Sequence, residues 1–553
     1  MKHLNIKVLS AVILGCSLSF AGCTDSLDIT PTDRVSNQLI WSNSDYANLA
    51  VNDFYKNIGI YGSFDLGQSV DGLTEGFTET LKYGSMTNFT HMNRCNLFMY
   101  ATTMTASWAS YDLGDWSNLY VRIRLVNEAI SNMKKYSSFD SQTTAHIEGQ
   151  LRFFRGFLYF ELVKRYKTVI LYDENLDKIQ NNTPLSTETE GWSMIENDLK
   201  FAGLNLPKEW ADSEYGRVTK GAAYALLSRA MLYAEKWDVA KVAADSVIKL
   251  NKYELADNYA DAFKTGANSG NKEAILEYDY NLNSPYHNFD DEFSPKGDPG
   301  VSQGGLGTPT QEMVESYELA AGGFPDWSKW HSTTGTTENP PYAQLEPRFQ
   351  ASVLYNGALW KGRSIEPFIG GTDGWCSYSD DPAPAGRTTT GYYLRKLVDE
   401  SHDLSVNSKS TQPWISIRYA EVLLNYAEAC YQTGDVEKAN DAVKQIRTRV
   451  GLPYNAKTGD ELMAAIRQER KVELSYEGLL FWDMRRWKLA HSAYEKSRVH
   501  GLKIDKNANG TFTYTYVDCD KQDRHFPEKL YRIPIPQGEL DNNPSVKQFE
   551  EWR

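Results

Sequence analysis

The sequence predicts a mainly α-helical protein, a scaffold of paired helices interrupted by two loop-rich regions and a few short strands. Three observations carry that expectation. From Ile147 to Val163 the chain is apolar around most of a helical circumference, the pattern of a buried helix. Residues 221–250 and 418–449 each read as a helix pair, and laying Ala230 on Ala427 also lays Leu226 on Leu423, Leu227 on Leu424 and Asp238 on Asp435. Such recurrence marks a degenerate tetratricopeptide-like unit. Over 254–413 the texture changes to clustered Gly, Pro, Asn, Asp and Trp, with short strand-like runs at 274–280 and 351–354.

In chain order, Lys2 and Lys7 precede an uncharged run from Val8 to Phe20 that ends in Phe20-Ala21-Gly22-Cys23. That is a secretory leader too short to span a membrane. A cysteine after small residues at the end of such a run resembles the lipobox, in which the cysteine is acylated and becomes the new N-terminus; Cys23 is therefore the expected lipid anchor. Mean hydropathy is −0.52 and no second run approaches the ~20 residues of a spanning helix. Removing Lys2 and Lys7 with the leader takes the net charge from −14 to −16, which disfavours nucleic acid as a partner. Cys95, Cys376, Cys430 and Cys519 lie far apart without a CxxC pair, which argues against a zinc or redox site.

Aromatic residues make up 13% of the chain, with 34 Tyr and 14 Trp, so many rings are expected near the surface. Ring faces packing on C–H-rich sugar planes would use them. Residues 60–107 form a second loop-rich stretch, weaker helices are expected over 116–135, and another long helix over 460–476. Asp505-Lys506-Asn507-Ala508-Asn509-Gly510 matches the start of a calcium loop, but position twelve is Tyr516, and the alternation from Thr511 to Tyr516 predicts a β-hairpin instead.

Several blocks, in order, resemble the SusD/RagB family of Bacteroidota nutrient-binding lipoproteins. They are Leu27-Asp28-Ile29-Thr30-Pro31, Arg152 to Leu162, Gly216-Arg217-Val218-Thr219-Lys220, Glu346-Pro347-Arg348-Phe349, Arg418 to Ala429, Glu469-Arg470-Lys471-Val472-Glu473-Leu474, Trp482-Asp483-Met484-Arg485-Arg486-Trp487 and Tyr531-Arg532-Ile533-Pro534. The Gln548 to Trp552 ending departs from the family's usual Asn-Pro-Gly-Trp. The resemblance implies a signal peptide over 1–22 and one domain over 23–553. Its scaffold of about four tetratricopeptide-like pairs would span 23–59, 108–253 and 414–553, with ligand-binding loop regions at 60–107 and 254–413. It further implies glycan capture at the cell surface, an outer-membrane lipid anchor, and delivery to a SusC-like TonB-dependent transporter. Glu469, Arg470, Arg485 and Arg486 then read as scaffold ion pairs.

A sugar site needs rings to cover pyranose faces and planar polar groups to fix hydroxyl directions. Tyr83, Tyr286, Trp327 and Trp330 are the expected rings, with Trp375 and Tyr378 in reserve. Asp71, Asn88 and Arg94 are the expected polar partners. Trp360 is excluded as a core residue.

The alternatives are a tetratricopeptide-type peptide-binding scaffold and, behind it, a glycoside hydrolase. Among 72 acids no local pattern selects a catalytic pair. Neither Gly-x-Ser-x-Gly nor His-Glu-x-x-His occurs, and Gln303-Gly304-Gly305-Leu306-Gly307 lacks the lysine of a phosphate loop. No catalytic residue, cofactor or metal is expected, with a structural calcium among the middle loops left open.

Overall fold

The computed structural model describes residues 36–553 apart from 63, 65–70, 85–89, 179–181, 381–383 and 385, and omits the side chains of 71–73 and 90–94. Cys23 and the leader lie outside the described residues. Helix α1, Trp116–Tyr136, packs on α2, Ser141–Tyr166, and α2 on α3, Glu188–Asn205. Asp140 caps α2 by accepting from the Gln142 and Thr143 amides, while Thr187 and Glu190 form a reciprocal capping box on α3. As the apolar pattern requires, α2 is buried almost throughout from Ile147 to Tyr166. Gly156 permits the α2–α3 approach, because a Cβ there would meet the Leu199 side chain at 3.0 Å.

The two matched pairs are α4, Lys220–Tyr233, with α5, Trp237–Lys249, and α6, Tyr419–Gln432, with α7, Val436–Arg449. Their internal register corrects the sequence alignment by two residues. Each pair turns through one left-handed residue, Glu235 (φ 55°) or Gly434 (φ 78°), followed by a residue at φ −87°, ψ 68°, Lys236 or Asp435. Lys236 therefore corresponds to Asp435, and Ala230 to Ala429 rather than Ala427. The small-residue pattern matched either way, whereas turn geometry admits one register. Helix α8, Gly459–Glu473, packs on α6 and α7, and α9, Leu480–Arg486, follows it.

Short antiparallel strand pairs attach the irregular regions to this scaffold. Strand β2, Ala274–Tyr278, pairs with β4, Trp414–Arg418, which runs into α6. Strand β1, Leu81–Tyr83, pairs with β3, Gly307–Pro309. The expected hairpin is β5, His500–Lys506, with β6, Phe512–Asp518, turning at Gly510. Residues 351–354 are strand in their second half only: Pro347–Ser352 is a helix started by its proline, and Val353–Leu354 is extended.

A buried ionic lattice binds the middle region to the helices. Arg418 donates to Glu273 at 2.6 Å, Glu473 at 2.7 Å and Glu477 at 2.7 Å. Arg348, 1% exposed, holds Glu346 at 2.6 Å, Glu469 at 2.7 Å and Glu473 at 3.3 Å. Arg449 joins through Glu273 and Glu473. Arg470 pairs with Asp483, and Arg486 with Asp483 and Glu428. Arg485 departs from the expected pairing, since no carboxylate among the described residues meets it and its two terminal nitrogens are buried without a hydrogen-bond partner. Cys95, Cys376, Cys430 and Cys519 are all buried. Among the described residues no helix is long and apolar enough to cross a membrane.

Candidate functional site

The first and middle irregular regions form one surface because β1 and β3 share a ladder, with Tyr83 opposite Gly307. The two regions also meet where Phe64 stacks on His287 with centroids 4.2 Å apart and meets Trp414 edge-on at 5.4 Å. Burial pushes the His287 imidazole down to about 4, so this ring stays neutral and packs as an aromatic. Beyond it the segment 281–286 is braced by its own polar groups. The Asn281 amide donates to the Pro285 carbonyl, and its side chain donates to the Ser284 carbonyl. The Lys409 ammonium donates to the Leu282 carbonyl at 2.9 Å and lies 4.5 Å from the Tyr286 ring centroid. Tyr286, 45% exposed, is thus a positioned ring that faces solvent.

The other expected rings fare differently. Tyr83 is 2% exposed, its ring packed on Gly76 so tightly that a Cβ there would sit 2.2 Å from it; it belongs to the core and offers no platform. Trp327 and Trp330 are 5% and 9% exposed and pack edge to face at 5.5 Å, with the Trp330 indole donating to the Glu338 carbonyl. They close a loop against the core, which corrects their reading as ligand rings. Trp375 and Tyr378 are half-buried; Trp375 bridges the backbone of Thr388, and its indole N–H has no hydrogen-bond partner. Trp360 is fully buried, donating to Asp298 at 2.7 Å. Asp71 begins the 3-10 turn Asp71–Phe77 and Arg94 lies in the helix Thr90–Tyr100, but their side chains, and all of Asn88, lie outside the described residues.

Near Tyr83, Glu292 is a half-buried carboxyl raised to about 7 by burial and then by the neighbouring charge of Asp291. Asp291 itself accepts from the amides of Ser302 and Gln303, fixing the loop that returns to β3.

Two concavities were not anticipated. A groove of about 650 Å³ runs between residues 321–324 and the α7–α8 connection, with Phe324, Tyr454, Arg447, Asn455 and Gln468 in its walls. Phe324 is 55% exposed, and its sequence signal was the preceding Gly322-Gly323, both at positive φ. A cleft of about 310 Å³ is lined by Tyr55, Tyr215, Tyr278, Arg217, Glu277 and Asp279. Burial raises both the Glu277 and the Asp279 carboxyl above the usual range. Among the described residues no group of three or more His, Cys, Asp or Glu could hold a metal ion.

Tetratricopeptide-like pairs carrying two joined irregular regions, with aromatic rings inside and on them, define a helical-repeat protein with a grafted ligand surface. The chain belongs to the SusD family: residues 267–552 match that family, and residues 66–232 match one described as starch-binding and associating with the outer membrane. It is 24% identical over 455 residues, 78% of each chain, to SusD-like protein P2 of Formosa agariphila. A SusD-like protein from Bacteroides fragilis is 29% identical with TM-score 0.79, covering 94% of this chain and 99% of that one. A second from the same species, described as a SusD-like carbohydrate binding protein, shares the fold at 22% identity and TM-score 0.77, covering 92% and 100%.

Proposed function

We propose that this protein is a cell-surface, lipid-anchored glycan-binding protein of the outer membrane that captures a polysaccharide or oligosaccharide without cleaving it and passes it to a SusC-like TonB-dependent transporter. The observation that carries the reading is the positioned, solvent-facing ring of Tyr286, next in the chain to the His287 on which Phe64 of the first irregular region stacks, in a chain of this family. One face of a tyrosine ring can cover a pyranose while its hydroxyl stays wet. Asp71, Asn88 and Arg94 belong to the first of these regions and supply carboxylate, amide and guanidinium, each able to bond two hydroxyls. Trp375, half-buried in the middle region, is the second candidate ring. Cys23 would be the acylated residue.

The test is affinity electrophoresis of the chain without residues 1–23 against plant, host and microbial polysaccharides, with reducing-end release assayed in parallel. Retention that is lost in Tyr286→Ala, with no new reducing ends, is the expected result; release of reducing ends would overturn the non-catalytic reading. The groove beside Phe324 favours a second reading, a peptide-binding scaffold, because it lies against α7 and α8. Retention unaffected at Tyr286 but lost in Phe324→Ala would move the site there.

A further inference from the structure

The family motif around Trp482 lies in a group of cations, one of which, Arg485, is buried with both terminal nitrogens unpartnered. Arg485 is 4% exposed, and neither of its terminal nitrogens has a hydrogen-bond partner. Its guanidinium lies 4.8 Å from the Trp482 ring centroid and 5.6 Å from that of Phe481, rings that favour a cation but accept no hydrogen bond along its fork. Both neighbours in the motif are satisfied: Asp483 by Arg470 and Arg486, and Arg486 by Glu428. A buried charge without a partner is costly enough that proteins pair it, bury it with a ligand or neutralise it.

Arg485 lines a small cavity of about 80 Å³, shared with Lys167, Lys488, Trp482 and Tyr531. Taking about 30 Å³ per water, that is room for two or three waters or one compact anion. Among the described residues no carboxylate pairs with Lys488, which sits 4.2 Å from the Tyr531 ring centroid. Lys164, which also lines the cavity, shares Glu161 with Arg165. The facing acids are Glu188 and Glu235; Glu188, with its side chain 42% exposed, accepts from the Trp192 indole at 3.3 Å and lies 3.9 Å from Lys167. Burial and the nearby Lys167 and Arg485 push Lys488 down to about 8 against the opposing charge of Glu188, and burial pushes Arg485 down as well, as expected where like charges crowd.

We propose that this cavity binds a small tetrahedral oxyanion, phosphate or sulfate, gripped by the Arg485 fork and Lys488 with Lys167 at the exposed side. The guanidinium offers two parallel N–H donors and each ammonium a third direction, the geometry such an anion fills. The site is separate from the glycan surface: it is built by α2, the start of α3 and α9, not by the irregular regions.

The test is calorimetric titration of inorganic phosphate, and separately sulfate, into the full chain in detergent, in chloride at matched ionic strength, with melting midpoints recorded alongside. Saturable binding and a midpoint raised by a few degrees are expected, with both lost in Arg485→Met and affinity weakened roughly tenfold in Lys488→Ala. Absence of saturable binding to the wild-type chain overturns the proposal. So does unchanged binding in Arg485→Met or, should that variant fail to fold, unchanged binding in Lys488→Ala. An equal response to acetate would overturn the tetrahedral assignment.

Discussion

Replacing Glu473 by glutamine tests the ionic lattice that fixes the middle region to the helices. Glu473 is wholly buried on α8 and receives Arg348, Arg418 and Arg449, while Glu469 one turn earlier takes Arg348 from the same side. Removing one partner of a buried pair typically costs about 3–5 kcal/mol, because the remaining charge stays buried. Here every arginine keeps another carboxylate: Arg348 keeps Glu346 and Glu469, Arg418 keeps Glu273 and Glu477, and Arg449 keeps Glu273. We therefore take the lower end, about 3 kcal/mol. With an unfolding entropy of about 2.1 cal/mol/K per residue, a chain of this length has roughly 1.1 kcal/mol/K, so the melting midpoint should fall by about 3 °C. Burial alone would raise the Glu473 carboxyl, but Arg449, Arg418 and Arg348 overcome it and hold the folded value well below the usual range. A depressed carboxyl stabilises above its unfolded value, about 4.3, and that contribution is lost as pH falls toward the folded value. Melting of both proteins by circular dichroism should thus show the full gap at pH 7 and a shrinking one below pH ~4. A variant melting within 1 °C of the wild type at pH 7, or a gap that widens in acid, would refute the lattice as a stabilising device.

Alanine at Tyr286 should weaken glycan retention at least tenfold with little change in melting, whereas Trp327→Ala should cost about 3–5 kcal/mol of stability as a buried indole is lost; gel retention and thermal melts on the same samples separate the two. Glu292→Gln should stabilise the chain at pH 8, where the wild-type carboxyl is forced to ionise in a half-buried place, and the advantage should vanish below pH ~4, because a raised folded value removes stability as pH climbs from the unfolded value toward 7. Cys23→Ser should move the protein from the membrane to the soluble fraction on cell fractionation, since acyl chains contribute about 0.8 kcal/mol per buried methylene.

The helical scaffold was legible because its signals are local. An apolar run around most of a helical circumference over 147–163 and an Asn-Gly turn each act within a few residues, and each appears where the sequence placed it, while the caps at Asp140 and Thr187 that start α2 and α3 emerge only from the structure. The repeat register was not legible to the residue, since Ala and Leu recur at several offsets in an amphipathic pair. Only the left-handed turn residue distinguishes them, and in one copy it is Glu235, which carries no glycine signature.

Ring exposure was the least legible feature, and the reason is physical. Trp327, Trp330 and Tyr83 stand in Gly-, Asn- and Pro-rich surroundings, as surface rings do, yet each is buried by residues distant in the chain: Tyr83 by the β1–β3 ladder with Gly307, more than two hundred positions away. A long irregular region must bury some of its own aromatics to hold a shape, because it lacks a repeating hydrogen-bond ladder to do so. The ring left for a ligand is then the one whose segment is braced by polar groups instead, and Tyr286, held through Asn281 and Lys409, meets that condition. The same logic separates Arg485 from its neighbours. The family resemblance put Glu469, Arg470, Arg485 and Arg486 in one class of scaffold ions, but α9 turns Arg486 toward Glu428 and Arg485 toward rings without an acceptor, so a motif read as uniform structure contains one unsatisfied charge.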